Sequence, residues 1–438
     1  MSFKAVFDAK KLYLALDSLK DFRDKKGLIP SMECFLLETI PEGIVFMLGE
    51  HSFTQLREIL PLESIAILRG LDGKFFNDRD EFIQAITKIV KDIPVDDVIA
   101  CCERVVRISA TDTYIGGFRY IPAIILEYGS FLVHYKMLDL LKEMGTIDIR
   151  IEEQPETFFA HVFYKKTIYK IPGMNPKDFQ ENIHIPAEGL KQFTIYGPDF
   201  FETLKAETPY KCTSEIRLAM NGVSIRSYGD DGVSMAVADY NRLIVKNNLT
   251  TLFVADKADV TLSNELVTAI RGESSLEYVH LYKDDVFVYV HNNNAIFFSR
   301  TYQDIAFVDY KGRILNNLNR ENMIKVVVNI HELTGILKRI KSISSVTFAS
   351  KIIAENNTLT IATASSEFGQ GDEVIDVFLP ENTECTVGVN AQMLLEHIGL
   401  LEQSRDVVLY LPQENNMPIL IESEQEPNMI QFLQVLNV

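Results

Sequence analysis

Apolar residues recur at helical spacing in several stretches of the chain, and strand-like sequence follows each stretch. Over residues 8–22, Leu12, Leu16 and Leu19 form one apolar stripe. Near residue 329, Asn329 is a good N-cap, and Glu332 follows at the position expected of a capping box. The pattern predicts helices over 8–22 and 134–144 and others that begin near 198, 263, 329 and 390.

Between the helices, β-branched and aromatic residues alternate or run together, which is typical of strands. Residues 286–290 and 295–298 flank Asn292, Asn293 and Asn294, so this segment predicts a hairpin. Further strands are expected over 358–363, 407–411 and 419–421.

Helices and strands recur in the same order three times, which indicates a duplicated domain. The strand Ile108–Asp112 resembles Met235–Asp239 and Thr360–Ala364. We therefore predict an α+β protein with domains over 1–185, 186–315 and 316–438. The first unit is longer by the stretch 49–107, which we interpret as an insertion with its own helix near 79–92.

Composition excludes several kinds of protein. The apolar runs are too short for a membrane helix, and no secretory signal is visible. The five cysteines form no C-x-x-C pair and support no disulfide framework, so a reducing cytoplasm is the expected location. The histidines have no metal-ligand spacing. Gly369-Gln370-Gly371-Asp372 is expected to be a turn and not a phosphate loop. No cofactor or metal is expected.

Charge gives a mixed signal. The net charge of −18 argues against nucleic acid when the whole surface is considered. A protein that encloses DNA needs only a locally basic lining, however. The predicted helices and the loops after them carry many lysines and arginines. These are either ordinary solvated residues or a basic surface gathered by the three repeats, and both readings stay open.

Several segments resemble the bacterial DNA polymerase sliding clamp, the beta subunit of DNA polymerase III. Ala238-Asp239-Tyr240-Asn241-Arg242-Leu243 is similar to the family segment Thr-Asp-Gly-His-Arg-Leu. Arg217–Gly222 resembles Arg-x-x-Leu-Asn-Gly, Phe307–Lys311 resembles Phe-Pro-Asp-Tyr-Arg, and Lys26–Pro30 resembles Arg-Pro-x-Leu-Pro. The stretch 387–438 follows the last helix and strands of the family. The resemblance covers nearly the whole chain apart from the insertion, and the segments occur in the same order as in the family.

This resemblance implies a DNA-clamp fold in which each of three domains has two inner helices and outer antiparallel sheets. It also implies a head-to-tail homodimeric ring that encircles double-stranded DNA in the nucleoid. Such a ring is a processivity factor and not an enzyme. The implied partners are a replicative DNA polymerase, an ATP-dependent clamp loader and a second copy of the chain, with no membrane.

Basic residues on the helices and the loops after them are the expected DNA contacts, made to phosphates and not to bases. Lys26 and Arg271 match basic positions of the family, whereas Ser263 and Asn264 replace an Arg-Lys pair. The expected contacts are Lys10, Lys20, Arg23, Lys25, Lys26, Lys142, Lys205, Arg271, Lys338, Arg339 and Lys341.

In the family, partners insert a short apolar peptide between the second and third domains. Physically this is an apolar slot beside guanidinium groups, suited to a Leu/Phe peptide with a polar end. The matching positions are Arg217, Met220, Ala238, Tyr240, Asn241, Arg242, Leu243, Val308, Arg313, Ile314, Pro418, Leu433, Val435 and Leu436. Tyr240 and Asn241 replace Gly-His, and Val308 replaces a proline. We therefore expect a different peptide preference, as in a phage, mobile-element or distant bacterial clamp.

Two alternatives stay open at this stage. The first is a clamp-like decoy or scaffold that binds replication partners without encircling DNA, which fits the missing basic residues and the insertion. The second is a hydrolase that uses Asp112 and Asp239 as paired carboxylates. These aspartates belong to different repeats and lack a partner histidine, so a turn-capping role is the better interpretation.

Overall fold

A computed structural model gives the placement of most of the chain. It describes residues 3–24, 27–46, 56–57, 60–61, 64–65, 68, 71, 74–89, 98–99, 102–145, 148–154, 158–179, 186–212, 220–229, 232–275, 277–292, 294–301, 307–344, 347–365, 369–381, 383–401, 403–413 and 417–436.

Helices form at each predicted apolar stripe. In the described residues, the α-helices with assigned bounds are α1 Ala9–Leu19, α2 Arg79–Ile89, α3 Met137–Lys142, α4 Gly197–Glu207, α5 Asn264–Ile270, α6 Tyr310–Arg313, α7 Ile330–Ile343 and α8 Ala391–Gly399, of which α6 was not predicted. The N-caps explain several of the starts, since Asp8, Asn329 and Asn390 accept backbone N–H groups of the first turns of α1, α7 and α8.

The second predicted helix is shorter than expected. Residues 130–134 continue a strand, with Cys34 paired to His134, so α3 begins at Met137. Met137 and Leu141 face the core, as the stripe predicts. The helix expected inside the insertion is confirmed as α2, and Phe82 and Ile86 of α2 are fully buried.

Strands account for more of the described chain than helices do. They are β1 Lys4–Asp8, β2 Cys34–Phe46, β3 Phe75–Phe76, β4 Cys102–Thr111, β5 Ile115–Pro122, β6 Ile124–Glu127, β7 Ser130–His134, β8 Asp148–Gln154, β9 Phe159–Tyr164, β10 Thr167–Met174, β11 Lys191–Tyr196, β12 Val223–Ser227, β13 Val233–Ala238, β14 Arg242–Lys246, β15 Thr251–Val254, β16 Asp259–Leu262, β17 Tyr278–Lys283, β18 Phe287–Asn292, β19 Ala295–Arg300, β20 Met323–Asn329, β21 Ala349–Glu355, β22 Thr358–Ser365, β23 Gly369–Asp376, β24 Glu384–Asn390, β25 Asp406–Pro412, β26 Ile419–Glu422 and β27 Met429–Leu433.

The chain divides into two compact units. The first comprises Met1–Phe201, Thr251–Asp256 and Glu265–Gln303, and the second comprises Glu202–Thr250, Lys257–Asn264 and Asp304–Val438. The three domain ranges stay a prediction.

In the described part of the first unit, the strands form one antiparallel sheet in the order β15-β11-β17-β18-β19-β5-β4-β2-β7-β10-β9-β8-β1-β6, with β3 on β2. Strands β5 and β19 join sequence from two predicted repeats. A side chain at Gly116 would place Cβ 2.3 Å from Cζ of Phe298, so this pairing requires glycine. Helix α1 contacts α3 and buries Leu12, Leu16 and Leu19.

The described part of the second unit has two antiparallel sheets, β16-β12-β13-β14-β27-β26-β25-β20 and β23-β22-β21-β24. Strands β14 and β27 pair from Arg242 with Leu433 to Lys246 with Met429, and this pairing again joins two predicted repeats. Helices α7 and α8 contact each other and bury Leu333, Leu337 and Leu394 in one apolar core.

The prediction of a turn at Gly369–Asp372 is wrong. These residues begin β23, with Gly371 opposite Thr363 of β22. A Cβ at Gly371 would lie 2.7 Å from Cδ1 of Ile343 in α7, so the glycine provides room for the helix beside the strand. The predicted hairpin at 286–298 is confirmed as β18 and β19.

Candidate partner groove and basic helix faces

A groove in the second unit begins at the turn between β13 and β14. Asp239 holds this turn, because its Oδ1 accepts the backbone N–H of Asn241 at 2.8 Å. The equivalent aspartate of the first unit, Asp112, accepts the N–H groups of Tyr114 and Ile115. Both aspartates therefore cap turns, as the sequence predicts.

The groove encloses a cavity of about 320 Å³ with an apolar floor. Ala238, Leu243 and Phe432 are nearly fully buried and belong to one apolar cluster, and Val308 and Ile314 pack against its edge. The described lining consists of Met220, Ala238, Asp239, Tyr240, Asn241, Arg242, Leu243, Val308, Ile314, Leu318, Met417, Pro418, Phe432 and Gln434.

Hydrogen bonds fix the segment that carries Met220. Gly222 has a φ of 82° and donates its N–H to Oδ1 of Asn264 at 3.0 Å. Nδ2 of Asn264 donates to the carbonyl of Cys212 at 2.7 Å. A Cβ at Gly222 would lie 2.0 Å from the carbonyl oxygen of Leu262, so glycine is required beside the groove.

Two carboxylates hold the guanidinium of Arg242 in the groove wall. Nε of Arg242 donates to Oδ2 of Asp239 at 2.8 Å, and Nη1 donates to Oε2 of Glu396 at 2.5 Å. The guanidinium also lies over the ring of Tyr210, 5.0 Å from its centroid. The Arg242 side chain is 12% exposed, so the wall presents a fixed, largely neutralised arginine.

Two buried polar side chains, Tyr210 and His397, pack next to this wall. Tyr210 donates its hydroxyl to the carbonyl of Glu396 at 3.0 Å, and burial raises the pKa of that hydroxyl. The ring of His397 stacks near Tyr210, and Nδ1 of His397 lies 2.6 Å from Oε1 of Gln431. Burial lowers the pKa of His397 to about 4, so this imidazole is neutral at pH 7.

The structure brings many of the predicted groove residues together. Those that line the cavity are Met220, Ala238, Tyr240, Asn241, Arg242, Leu243, Val308, Ile314 and Pro418. Leu433 and Val435 lie instead in the core beneath α7 and α8, and Leu436 forms a bridge with Gly388. Arg217 lies outside the described residues, and Arg313 belongs to α6.

The sequence did not single out Leu318, Met417, Phe432 or Gln434 as lining residues. For β27 the missing signal is alternation: Phe432 and Gln434 share one face, and Leu433 and Val435 share the other. Leu243 of β14 pairs with Phe432 of β27, so the strand register places Phe432 on the face that lines the groove.

Exposed cations occur on helices of both units. Lys10 on α1, Lys142 on α3, Lys205 on α4, Arg271 after α5 and Lys338 on α7 are exposed, and none forms an ion pair with another described residue. These side chains are available to bind an anionic ligand.

Other predicted contacts are already engaged. Lys20 lies 2.8 Å from Asp17, a hydrogen bond that raises the pKa of the lysine. Arg23 lies over the ring of Tyr135 at 4.6 Å, and burial lowers its pKa. Arg339 donates to both carboxylate oxygens of Glu373, and Lys341 lies over Phe348. Lys25 and Lys26 are outside the described residues.

A second cavity of about 640 Å³ lies in the first unit beside α1, lined in part by Lys11, Lys20, Arg119 and Arg271. Arg119 is held by Glu273 at 2.6 Å. It lies on strand β5, whereas the predicted contacts lie on helices and the loops after them. No group of three His, Cys, Asp or Glu among the described residues is arranged to hold a metal ion.

The strand order and the paired helices define an α+β clamp-type fold. Solved structures of bacterial sliding clamps share it over the full chain. The beta sliding clamp of Caulobacter crescentus matches with a TM-score of 0.75 at 16% identity, covering 100% of this chain and 99% of that chain. The DnaN sliding clamp of Bartonella birtlesii matches with a TM-score of 0.76 at 15% sequence identity. The sliding clamp of Bacillus subtilis matches with a TM-score of 0.75 at 15% identity, and each match covers 100% of both chains.

The chain thus has the fold of the DNA polymerase III beta sliding clamp, at 15–16% sequence identity to those structures. No family model and no curated protein matches it by sequence. None of the described helices is long and apolar enough to cross a membrane.

Proposed function

We propose that the chain is a DNA polymerase processivity factor, a homodimeric ring that encircles duplex DNA and tethers a polymerase. The observation that carries this proposal is the full-length likeness to sliding clamps, which includes both ends of the chain. The chain then makes and breaks no bond. Its partners are double-stranded DNA, a replicative polymerase and an ATP-dependent clamp loader, all in the cytoplasm.

The exposed cations support a DNA role. Lys10, Lys142, Lys205, Arg271 and Lys338 carry charge without a fixed partner among the described residues. Loosely held cations contact phosphates without reading bases, so the ring binds duplex DNA of any sequence and is sensitive to salt. The net charge of −18 limits attachment of the outer surface to DNA.

Two strand edges suit head-to-tail closure between copies. Along 167–172, β10 pairs with β9 and with no other described strand, and β23 pairs with β22 alone in the described residues. Ile168 is 54% exposed between Lys166 and Lys170, and Val374 is 54% exposed between Asp372 and Asp376. The same charge–apolar–charge pattern with opposite signs favours pairing of β10 of one copy with β23 of another.

Charge swapping tests this closure. Wild-type protein at micromolar concentration is expected to have the mass of a dimer in analytical ultracentrifugation. K166E/K170E and D372K/D376K are each expected to be monomers, because like charges then meet at both joints. An equimolar mixture of the two variants restores complementary charges at both joints and is expected to give heterodimers.

Particle images complete the test. The wild-type dimer is expected to be a closed annulus with a hole wide enough for B-form DNA. Monomeric wild-type protein, or two variants that stay dimeric alone, would overturn the closure through these edges. A dimer without a hole would overturn the ring itself.

The decoy reading has one observation in its favour. Lys20, Arg23 and Arg339 are engaged by their own chain, which weakens a basic lining. A decoy would bind partner peptides in the groove yet show no affinity for duplex DNA at low salt, whereas a working ring binds both.

A further inference from the structure

In the described residues, the groove lining carries one carboxylate and one guanidinium, and a second carboxylate lies on α8 beside that guanidinium. Asp239 and Arg242 are the charged members of the described lining, and Glu396 pairs with Arg242 from α8. One guanidinium therefore faces two carboxylates. A peptide carboxylate beside Arg242 would be attracted by one guanidinium and repelled by two carboxylates.

The carboxylates are also held in place. Oδ1 of Asp239 accepts the N–H of Asn241, and Oε1 of Glu396 accepts the amide of Gln392. The Asp239 side chain is 16% exposed and that of Glu396 is 36% exposed. Each carboxylate oxygen has two acceptor sites, so both groups keep capacity for another donor.

Arg242 has little freedom to turn toward a ligand. Its Nε and Nη2 lie 2.8 and 2.7 Å from Oδ2 of Asp239, Nη1 donates to Glu396, and the ring of Tyr210 covers one face. Releasing the guanidinium to an acidic peptide would break two ion pairs to form one. This exchange is unfavourable at a partly buried site.

Resting on the proposed role of this groove in partner binding, we propose that it selects a peptide that presents a basic residue beside its Leu/Phe anchors. The anchors occupy the apolar floor formed by Leu243, Ile314 and Phe432. The basic residue donates to Asp239 and Glu396, and an acidic residue at the same place is repelled. Glu396 is a positioning residue, because it holds Arg242 and adds the second negative charge.

Three matched peptides test this selection on the full-length protein. They are fluorescein-labelled and identical in their Leu/Phe segment, with Lys, Gln or Asp beside it. Fluorescence anisotropy at low salt is expected to rank their affinities Lys above Gln above Asp, with about tenfold between Lys and Asp. E396Q neutralises the wall and is expected to narrow that ratio to about threefold or less.

E332Q is the matched control. It removes the same charge from the exposed Glu332 on α7 and is expected to leave the ratio unchanged. A urea midpoint like that of wild type checks that E396Q is folded, and D239N serves as a second variant if it is not.

The selection is overturned if wild type binds the Asp peptide as tightly as the Lys peptide, or if E396Q and D239N both leave the ratio at its wild-type value. It is also overturned if none of the peptides binds. A protein that binds none of them and still forms a ring on DNA keeps the clamp role, so the two failures are distinguishable.

Discussion

The groove wall and the exposed helix faces use arginine and lysine in opposite ways. In the wall, Arg242 is fixed by Asp239, Glu396 and the ring of Tyr210. On the helices, Lys10, Lys142 and Lys338 are exposed and have no ion-pair partner among the described residues. The same kind of charge is immobilised in one region and free in the other.

This difference between fixed and exposed cations indicates which ligand each region can recognise. Fixed charges with defined donors and acceptors select a short ligand by its sequence, because an unmatched group stays unsatisfied. Free cations on long side chains follow a uniformly charged polymer and do not distinguish positions along it. A protein that slides on DNA and captures specific partners needs both kinds of surface.

The largest expected effect comes from removing the fixed arginine. R242A leaves Asp239 and Glu396 without their shared cation, so we expect a loss of about 2–3 kcal/mol in the free energy of unfolding. Peptide binding should also be lost, because the wall no longer holds its shape. Urea denaturation and anisotropy measure the two effects.

K338A is the contrasting variant, and its free energy of unfolding should lie within about 0.5 kcal/mol of wild type. Equal destabilisation by R242A and K338A would remove the distinction between fixed and free cations.

The support behind the wall should be sensitive to acid. The pKa of His397 is lowered to about 4 in the folded protein, below its ordinary value of 6.5. Between these values the unfolded chain binds more protons, so stability is lost as pH falls from 6.5 toward 4. Relative to H397N, wild type should lose about 2 kcal/mol more between pH 7 and pH 5.

Urea unfolding at the two pH values measures this difference. The comparison with H397N isolates His397 from other buried groups such as Glu207, whose burial raises its pKa and gives the opposite pH dependence. Parallel pH profiles for wild type and H397N would contradict a neutral, buried His397.

Mutation of an exposed lysine should change the salt dependence of DNA binding without changing peptide binding in the groove. K10Q or K338Q is expected to weaken binding to duplex DNA of any sequence and to reduce the slope of log affinity against log salt by roughly one. Filter binding over a salt series measures the slope. Peptide affinity in the same variants should not change, and a matching loss of peptide affinity would mean that the regions are not independent.

The smallest effect is expected at Tyr240, which is 47% exposed and lines the groove. Y240G widens the slot and should strengthen binding of a peptide with a bulkier aromatic anchor by about threefold, while affinity for the original Leu/Phe peptide changes less. Anisotropy with the two peptides measures it, and weaker binding of both would show that Tyr240 contributes contacts instead of narrowing the slot.

Much of the fold could be predicted from the sequence, because apolar stripes and caps act locally. The apolar stripe of Leu12, Leu16 and Leu19 predicts α1, and the N-cap Asn329 predicts the start of α7. The prediction of a turn at 369–372 is wrong, since Gly371 lies in β23 and provides room for Ile343, a contact that is distant in sequence.

The site was less predictable for the same reason. The turn at Asp239 could be inferred from neighbouring residues, whereas the groove residues around it were implied by the resemblance to the clamp family. The pairing of Arg242 with Glu396 joins residues 154 positions apart, which no local pattern encodes. The faces of Phe432 and Leu433 depend on the register between β14 and β27, which also lies outside local sequence.

Retention on circular DNA tests the central claim most directly. Wild-type protein is incubated with nicked circular duplex long enough for subunit exchange to thread the DNA, washed at high salt, and then treated with an enzyme that cuts the circle once. We expect the protein to stay on the intact circle through the wash and to be released when the circle becomes linear. Loss from the intact circle in the wash, or retention after the cut, would contradict it.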